Sequence, residues 1–338
     1  MRQLSQLAAS LLAAAALATP AADRAQSPAA ERSAERIAFS SKRDGNWEIY
    51  TMQADGGRLV RLTHNAVQDR FPIASPDGRR MLFGSERGNG WELWVMNIDG
   101  SGERRLSTSL AAKASRGWSP DGSRIVFERS IANKGAIYTV RPDGSELTRL
   151  SPEGVDERNP AWSPDGRAIA FASSRDGNRE IYVMNADGSA ATRLTANAAP
   201  DDEPAWSPDG ARIVFWSERD GNRELYIVSR DGKQLRRLTT DPAKDQTPAW
   251  SPDGSRIAFE AVRDRNWDIE IVSVSDGERT RLTEAPEYDL APRWSPDGTR
   301  LVYLSTRGGL DAVSVMRVDG REARQLTTEP SLDPRWSP

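Results

Sequence analysis

Apolar residues along this chain come in bursts of strand length. The first is Ile37-Ala38-Phe39, and its aromatic returns at Phe83, Phe127, Phe171, Phe215, Phe259 and Tyr303, each 44 residues after the last. Within a burst, alternate positions share a character, which is the period of a strand and not of a helix. Ser-Pro-Asp-Gly precedes most bursts, starting at Ser75, Ser119, Ser163, Ser207, Ser251 and Ser295. In such a turn Pro presets φ and Gly takes the positive φ that closes it. The repeat that begins at Pro160 predicts strand A at 161–163, strand B at 168–173, strand C at 180–184 and strand D at 192–195. Asp-Gly turns join them, and a longer loop, 196–204, leads to the next repeat. A fixed period in the forties with four strands per repeat is the pattern of a propeller blade.

The ends of the pattern set the number of blades. The first burst is a strand B with no strand A before it. The last residues, Pro334-Arg335-Trp336-Ser337-Pro338, are a strand A with no strand B after it. Joined, they complete a seventh blade and close the ring without a free sheet edge. The fold predicted is all-β: a seven-bladed β-propeller over 37–338, built of four-stranded antiparallel blades. Trp118, Trp162, Trp206, Trp250, Trp294 and Trp336 recur at one strand-A phase and are expected to pack between blades.

Residues 1–18 read as a signal peptide. Arg2 gives a positive start, 7–17 is an Ala/Leu run, and Ala16-Leu17-Ala18 is a small-residue cleavage site. Residues 19–36 read as a disordered spacer rich in Ala, Pro and Ser. The expected location is therefore periplasmic or secreted. A net charge of −3 with no basic stripe argues against nucleic acid. No apolar run reaches the ~18 residues of a membrane span, so no membrane insertion is expected. With no Cys, the sequence has no disulfide, thiolate metal site or cysteine nucleophile.

The run Ala-Trp-Ser-Pro-Asp-Gly, then Ile-Ala-Phe, then Ser-Arg-Asp-Gly-Asn-x-Glu-Ile-Tyr-Val-Met-Asn-Ala-Asp-Gly, then Arg-Leu-Thr occupies 161–195. It resembles the propeller repeat of the TolB family, and the likeness extends over all the repeats. The resemblance implies envelope work with a protein partner. TolB proteins carry an α/β domain before a six-bladed propeller, whereas here a signal and spacer precede seven repeats. The repeat is also similar to the propeller of prolyl-oligopeptidase-like enzymes.

Candidate chemistry is sparse. There is one histidine, His64, and no Gly-x-Ser-x-Gly elbow. An acid lies five residues before the strand-A Trp phase in five repeats: Asp69, Glu157, Asp201, Asp245 and Asp289. These acids are expected to ring one mouth of the central channel and to attract a cationic partner. No cofactor is expected beyond a cation such as Ca2+ at that mouth. The competing reading pairs each acid with the Arg four residues after the aromatic of its own blade: Arg87, Arg175, Arg219, Arg263 and Arg307. Blade 3 lacks both, with Lys113 and Ile131 in their places. Eight residues past the aromatic, at the start of strand C, stand Trp47, Trp91 and Trp267, with Arg179 and Arg223 at the same position in blades 4 and 5. Trp and Arg at a solvent-facing turn suit a protein contact, although each Trp can instead lie flat on its own blade.

The function expected is a non-catalytic exported module. One propeller face would meet a protein or peptide of the cell envelope, with the chain acting as a monomer. The alternative is a secreted hydrolase or lyase that uses carboxylates at the channel mouth. That chemistry needs two acids with separated pKa values, which a ring of similar acids does not supply.

Overall fold

The computed structural model describes residues 35–87, 90–107 and 116–338. The predicted signal peptide and most of the spacer lie outside them. The described residues form seven four-stranded antiparallel sheets. Six run A-B-C-D in chain order. In the seventh, strand A is Ser331–Ser337 and pairs with Arg36–Ser41, bringing Trp336 opposite Ile37. The propeller and its seam are therefore as the repeats predict. Glu35, the first described residue, pairs with Arg300.

Blade 4 shows why the repeat folds as it does. The Ser163–Gly166 turn closes with Gly166 N donating to Ser163 O at 2.9 Å, and Gly166 has φ 67°. Asp165 accepts from the Ser163 hydroxyl and from Arg167 N, which fixes the loop. Strand B, Ala168–Ser173, is buried throughout. Phe171 faces Tyr182 of strand C, and the rings stack at 5.8 Å. All seven strand-B aromatics are essentially inaccessible to water.

The strand-A tryptophans rivet blade to blade. Each of Trp118, Trp206, Trp250, Trp294 and Trp336 donates its indole N–H to a strand-A carbonyl of the preceding blade, at 2.9–3.1 Å. An Arg of that preceding blade covers the ring in four of these cases, as Arg256 covers Trp294 at 5.0 Å. Trp162 is the exception, with its Nε1 buried and unpartnered among the described residues. Its neighbour, blade 3, has a strand A of only three described residues, Arg116–Trp118.

One local feature departs from expectation and decides what the channel contains. Strand A of blade 4 spans Glu157–Trp162, four residues earlier than predicted at its start. Glu157 faces Ser173 and Trp162 faces Ile169, so five steps on one strand match four on the other. The extra residue is a β-bulge at Asn159-Pro160. Prolines, which lack an N–H, are at home in bulges, and they also hide such a strand from a sequence reading. Register shifts recur at the same place in blades 2, 5, 6, 7 and 1. The bulge residues Phe71, Asn159, Glu203, Thr247, Ala291 and Asp333 all hold φ between 53° and 63°, the left-handed region.

Candidate binding site

The five acids do not ring the channel. Asp69, Glu157, Asp201, Asp245 and Asp289 are all fully buried. The bulge puts each on the same strand face as the Trp, turned into the blade packing. Glu157 pairs with Arg175, Asp201 with Arg219 at 2.7 Å, and Asp289 with Arg307 at 3.1 Å, which is the same-blade pairing. Two blades differ. Asp69 is held by Ser85 and Asn65, while Arg87 turns to Glu103. In blade 6, Glu270 stands where most blades have Tyr. It draws Arg263 away, and Asp245 pairs with Arg279 at 2.9 Å instead. Burial pushes Asp201 up to about 6 and Asp245 up to about 7, against the pull of these arginines. The cation-attracting ring at the mouth is thereby withdrawn. Among the described residues no three His, Cys, Asp or Glu side chains converge to hold a metal ion.

Trp47, Trp91 and Trp267 are half-buried rings and not free contact residues, and of the three only Trp267 is among the residues lining the channel. Arg70 lies between Trp47 at 5.1 Å and Phe71 at 4.6 Å, and Phe71 in turn meets Trp91 at 5.5 Å. Trp91 also packs over Gly84, where an added Cβ would lie 3.2 Å from the indole. One stack thus joins the two tryptophans across blades 1 and 2. Trp267 is separate and lines the channel beside Tyr288, which is 43% exposed. Arg179 is tied to Asp202 at 3.1 Å. Arg223 bonds Glu218 and Gln246 and covers Trp216 at 4.1 Å.

The concavity that these groups border is the central channel, with a volume of about 860 Å3. Its wall is made mainly by the bulges. Phe71, Asn159, Glu203, Thr247, Ala291 and Asp333 line it, with the prolines that follow most of them. The sequence reading passed over this position. Its signal was chemical diversity: Phe, Asn, Glu, Thr, Ala and Asp occupy one phase, while the neighbouring Pro and Trp scarcely vary.

Bulge N–H groups are satisfied across blade boundaries. Phe71 N donates to Ser40 Oγ, Asn159 N to Glu128, Ala291 N to Glu260 at 2.7 Å, and Thr247 N to Glu203 at 3.0 Å. Burial and the adjacent charges of Asp202 and Glu260 push Glu203 up to about 7. Burial likewise raises Glu128. On the wall Glu203 and Glu260 stand on blades 5 and 6, and Arg293, Arg335 and Arg70 on blades 7, 1 and 2, with Asp333 of blade 1 among the arginines. Arg70 is paired with Asp333 at 3.3 Å. Apolar groups at the mouth, among them Trp267, Tyr288, Leu290 and Leu304, form a ledge on blades 6 and 7.

An all-β ring of seven blades around a central channel lined by charged residues defines the class: a seven-bladed β-propeller. The chain belongs to the TolB beta propeller domain family, whose model matches residues 14–159 and 156–338. No curated protein sequence matches the chain. Solved structures with this fold include TolB from Acinetobacter baumannii, at 21% identity and TM-score 0.58, covering 89% of this chain and 82% of that one. Oligogalacturonate lyase from Vibrio parahaemolyticus superposes at TM-score 0.70 with 14% identity, covering 84% of this chain and 86% of that one. The β-propeller domain of the Trilobed protease from Pyrococcus furiosus gives 0.64 with 17% identity, covering 87% and 95%. At these identities the likeness is one of fold. Among the described residues no helix is long and apolar enough to cross a membrane.

Proposed function

We propose that this protein is an exported, TolB-like binding module whose channel mouth receives a protein or peptide of the cell envelope. The observation that carries the reading is the mouth itself. An aromatic and aliphatic ledge of Trp267, Tyr288, Leu290 and Leu304 borders a channel lined by both acids and arginines. A ledge of this kind supplies apolar anchoring, and the charged wall supplies orientation. The channel is walled by prolines and bulges, so little ordering cost accompanies binding. Family membership favours the same conclusion, and the apolar run at 7–17 supports export.

Replacing Trp267 and Tyr288 together by Ala is expected to weaken capture of the partner from a cell-envelope extract by tenfold or more, since anchors of this type are worth about 2 kcal/mol or more. The melting temperature should move by only a few degrees, because Tyr288 is exposed and Trp267 is half-buried. Undiminished capture by the folded double variant would remove the ledge from the binding site.

A second reading has one observation in its favour. Glu203, raised to about 7 beside Glu260, is a carboxylate whose proton affinity differs from that of ordinary acids, as a general acid requires. Turnover of an oligosaccharide or peptide that disappears in Glu203→Gln would establish a lyase or hydrolase.

A further inference from the structure

We propose that the channel holds its partner by a carboxylate, seated on the guanidinium of Arg293 with Arg335 beside it. The inference rests on the peptide-binding reading above and names the chemistry of the group that enters. The position immediately before the strand-A Trp faces the channel. Ile73, Ala161 and Ala205 line the cavity there, and Gly117 and Ala249 occupy the position in two further blades. Those residues are small or apolar. Blades 7 and 1 alone place Arg at this step, at Arg293 and Arg335, and the two inner strands are neighbours. Two cations are thus set side by side on an otherwise uncharged tier.

Arg293 has donors to spare. Its guanidinium carries five N–H groups in a planar fork. Among the described residues it makes one hydrogen bond, from Nη1 to the adjacent Pro292 O at 2.9 Å, and no ion pair. Protein crowds it enough that desolvation lowers its pKa, with Glu260 and Glu203 attracting it from the facing wall. A partly desolvated cation on the channel wall with unused donors favours an anion that brings two parallel acceptors, and a carboxylate does so. The chain's own charge of −3 works against indiscriminate attraction of anions, so the preference must be local.

The surroundings also fix a pH dependence. Glu203 is faced by Asp202, Glu260, Arg223 and Arg293, and the Asp333–Arg70 pair lies beyond Arg335. Ionised Glu203 repels an entering carboxylate. Its pKa is pushed up to about 7, so it takes up a proton as pH falls from 8 to 6 while the arginines stay charged. Carboxylate binding should tighten over that interval.

The test titrates the full chain with hexaglutamate, hexaglutamine, hexalysine and trigalacturonate by calorimetry. Hexaglutamate is expected to bind at least tenfold more tightly than hexaglutamine, and more tightly at pH 6 than at pH 8. Arg293→Gln and Arg335→Gln should each weaken it by about tenfold, the loss expected when a hydrogen bond to a charged group is removed. Arg293→Lys should recover part of the loss. If Arg293→Gln does not fold, the Arg335→Gln titration and the pH profile decide the matter. Equal binding of hexaglutamine, tighter binding of hexalysine, or indifference to both substitutions in folded protein would overturn the proposal. Trigalacturonate binding above hexaglutamate would keep the carboxylate seat and overturn a peptide as its source. A protein that captures an envelope partner yet ignores hexaglutamate retains the proposed function and loses this anchor. Hexaglutamate binding without any capture does the reverse.

Discussion

A chain lacking residues 332–338 is expected to melt roughly 10 °C or more below the intact protein. Those residues supply nearly all of the inner strand of blade 1. Trp336 packs against Ile37, Phe39, Tyr50, Met52, Val302 and Val313. Its indole donates to Arg293 O at 2.9 Å, and Arg300 covers its ring at 5.3 Å. Deletion removes a large ring from a core, which alone costs about 3–5 kcal/mol. It also strips the ladder from Arg36–Ser41 and leaves an open edge between blades 7 and 1. Trp336→Ala should lie between the two, because it removes the ring and keeps the ladder. Scanning calorimetry checks both. A truncated protein that melts with the intact one would show that the seam does not hold the ring closed.

Arg279→Met should be nearly as damaging at pH 8. Arg279 meets Asp245 at 2.9 Å, Glu270 at 2.7 Å and Asp241 at 3.0 Å. Asp245 is fully buried, and among the described residues Arg279 is the only cation paired with it. Removing one partner of a buried pair leaves an uncompensated charge and costs about 3–5 kcal/mol. The sign of the pH effect follows from Asp245. Its carboxyl in the folded protein is raised to about 7, above the ~3.9 of an unfolded chain. The folded state therefore binds the proton more tightly, and the ionisation penalty is complete above about pH 7. It is relieved as pH falls from 7 toward 4. The deficit of Arg279→Met should thus shrink between pH 8 and pH 5, and adding Asp245→Asn should recover part of it at pH 8. A melting temperature within two degrees of the parent at pH 8 would contradict this account.

The architecture was legible because propeller blades repeat in phase. Phe39 to Tyr303 mark strand B seven times, and the unmatched Ile37 and Trp336 halves foretell a contact that the structure makes as adjacent register partners. The site was less legible, for a reason that Glu157 and Trp162 make plain. Five residues apart on a regular strand, they would face opposite ways. The bulge at Asn159-Pro160 adds a residue and returns them to one face, so the acids enter the packing and Asn159, Glu203 and their equivalents enter the channel. The blade 6 exchange was hidden by a different cause. Pairing Asp245 with Arg263 followed the repeat, but Glu270 in place of Tyr competes for that Arg, a contest between strands that spacing does not display. Trp47 and Trp91 looked like contact residues because they begin strand C at a turn. Trp47 is covered by Arg70 of the next blade's inner strand and Trp91 by Phe71 of its own inner strand, both far along the chain and beyond the reach of local pattern.

The central claim, that the channel mouth meets the partner, is tested most directly by site-specific photocrosslinking. Benzoylphenylalanine would replace Tyr288 at the mouth in one variant and Asp187, exposed on a C–D turn at the opposite end of the blades, in another. After illumination in envelope extract, a discrete crosslinked band from position 288, absent from position 187 and suppressed by Trp267→Ala, is the result expected. Crosslinking from position 187 with none from 288 would place the partner on the other face and contradict the account.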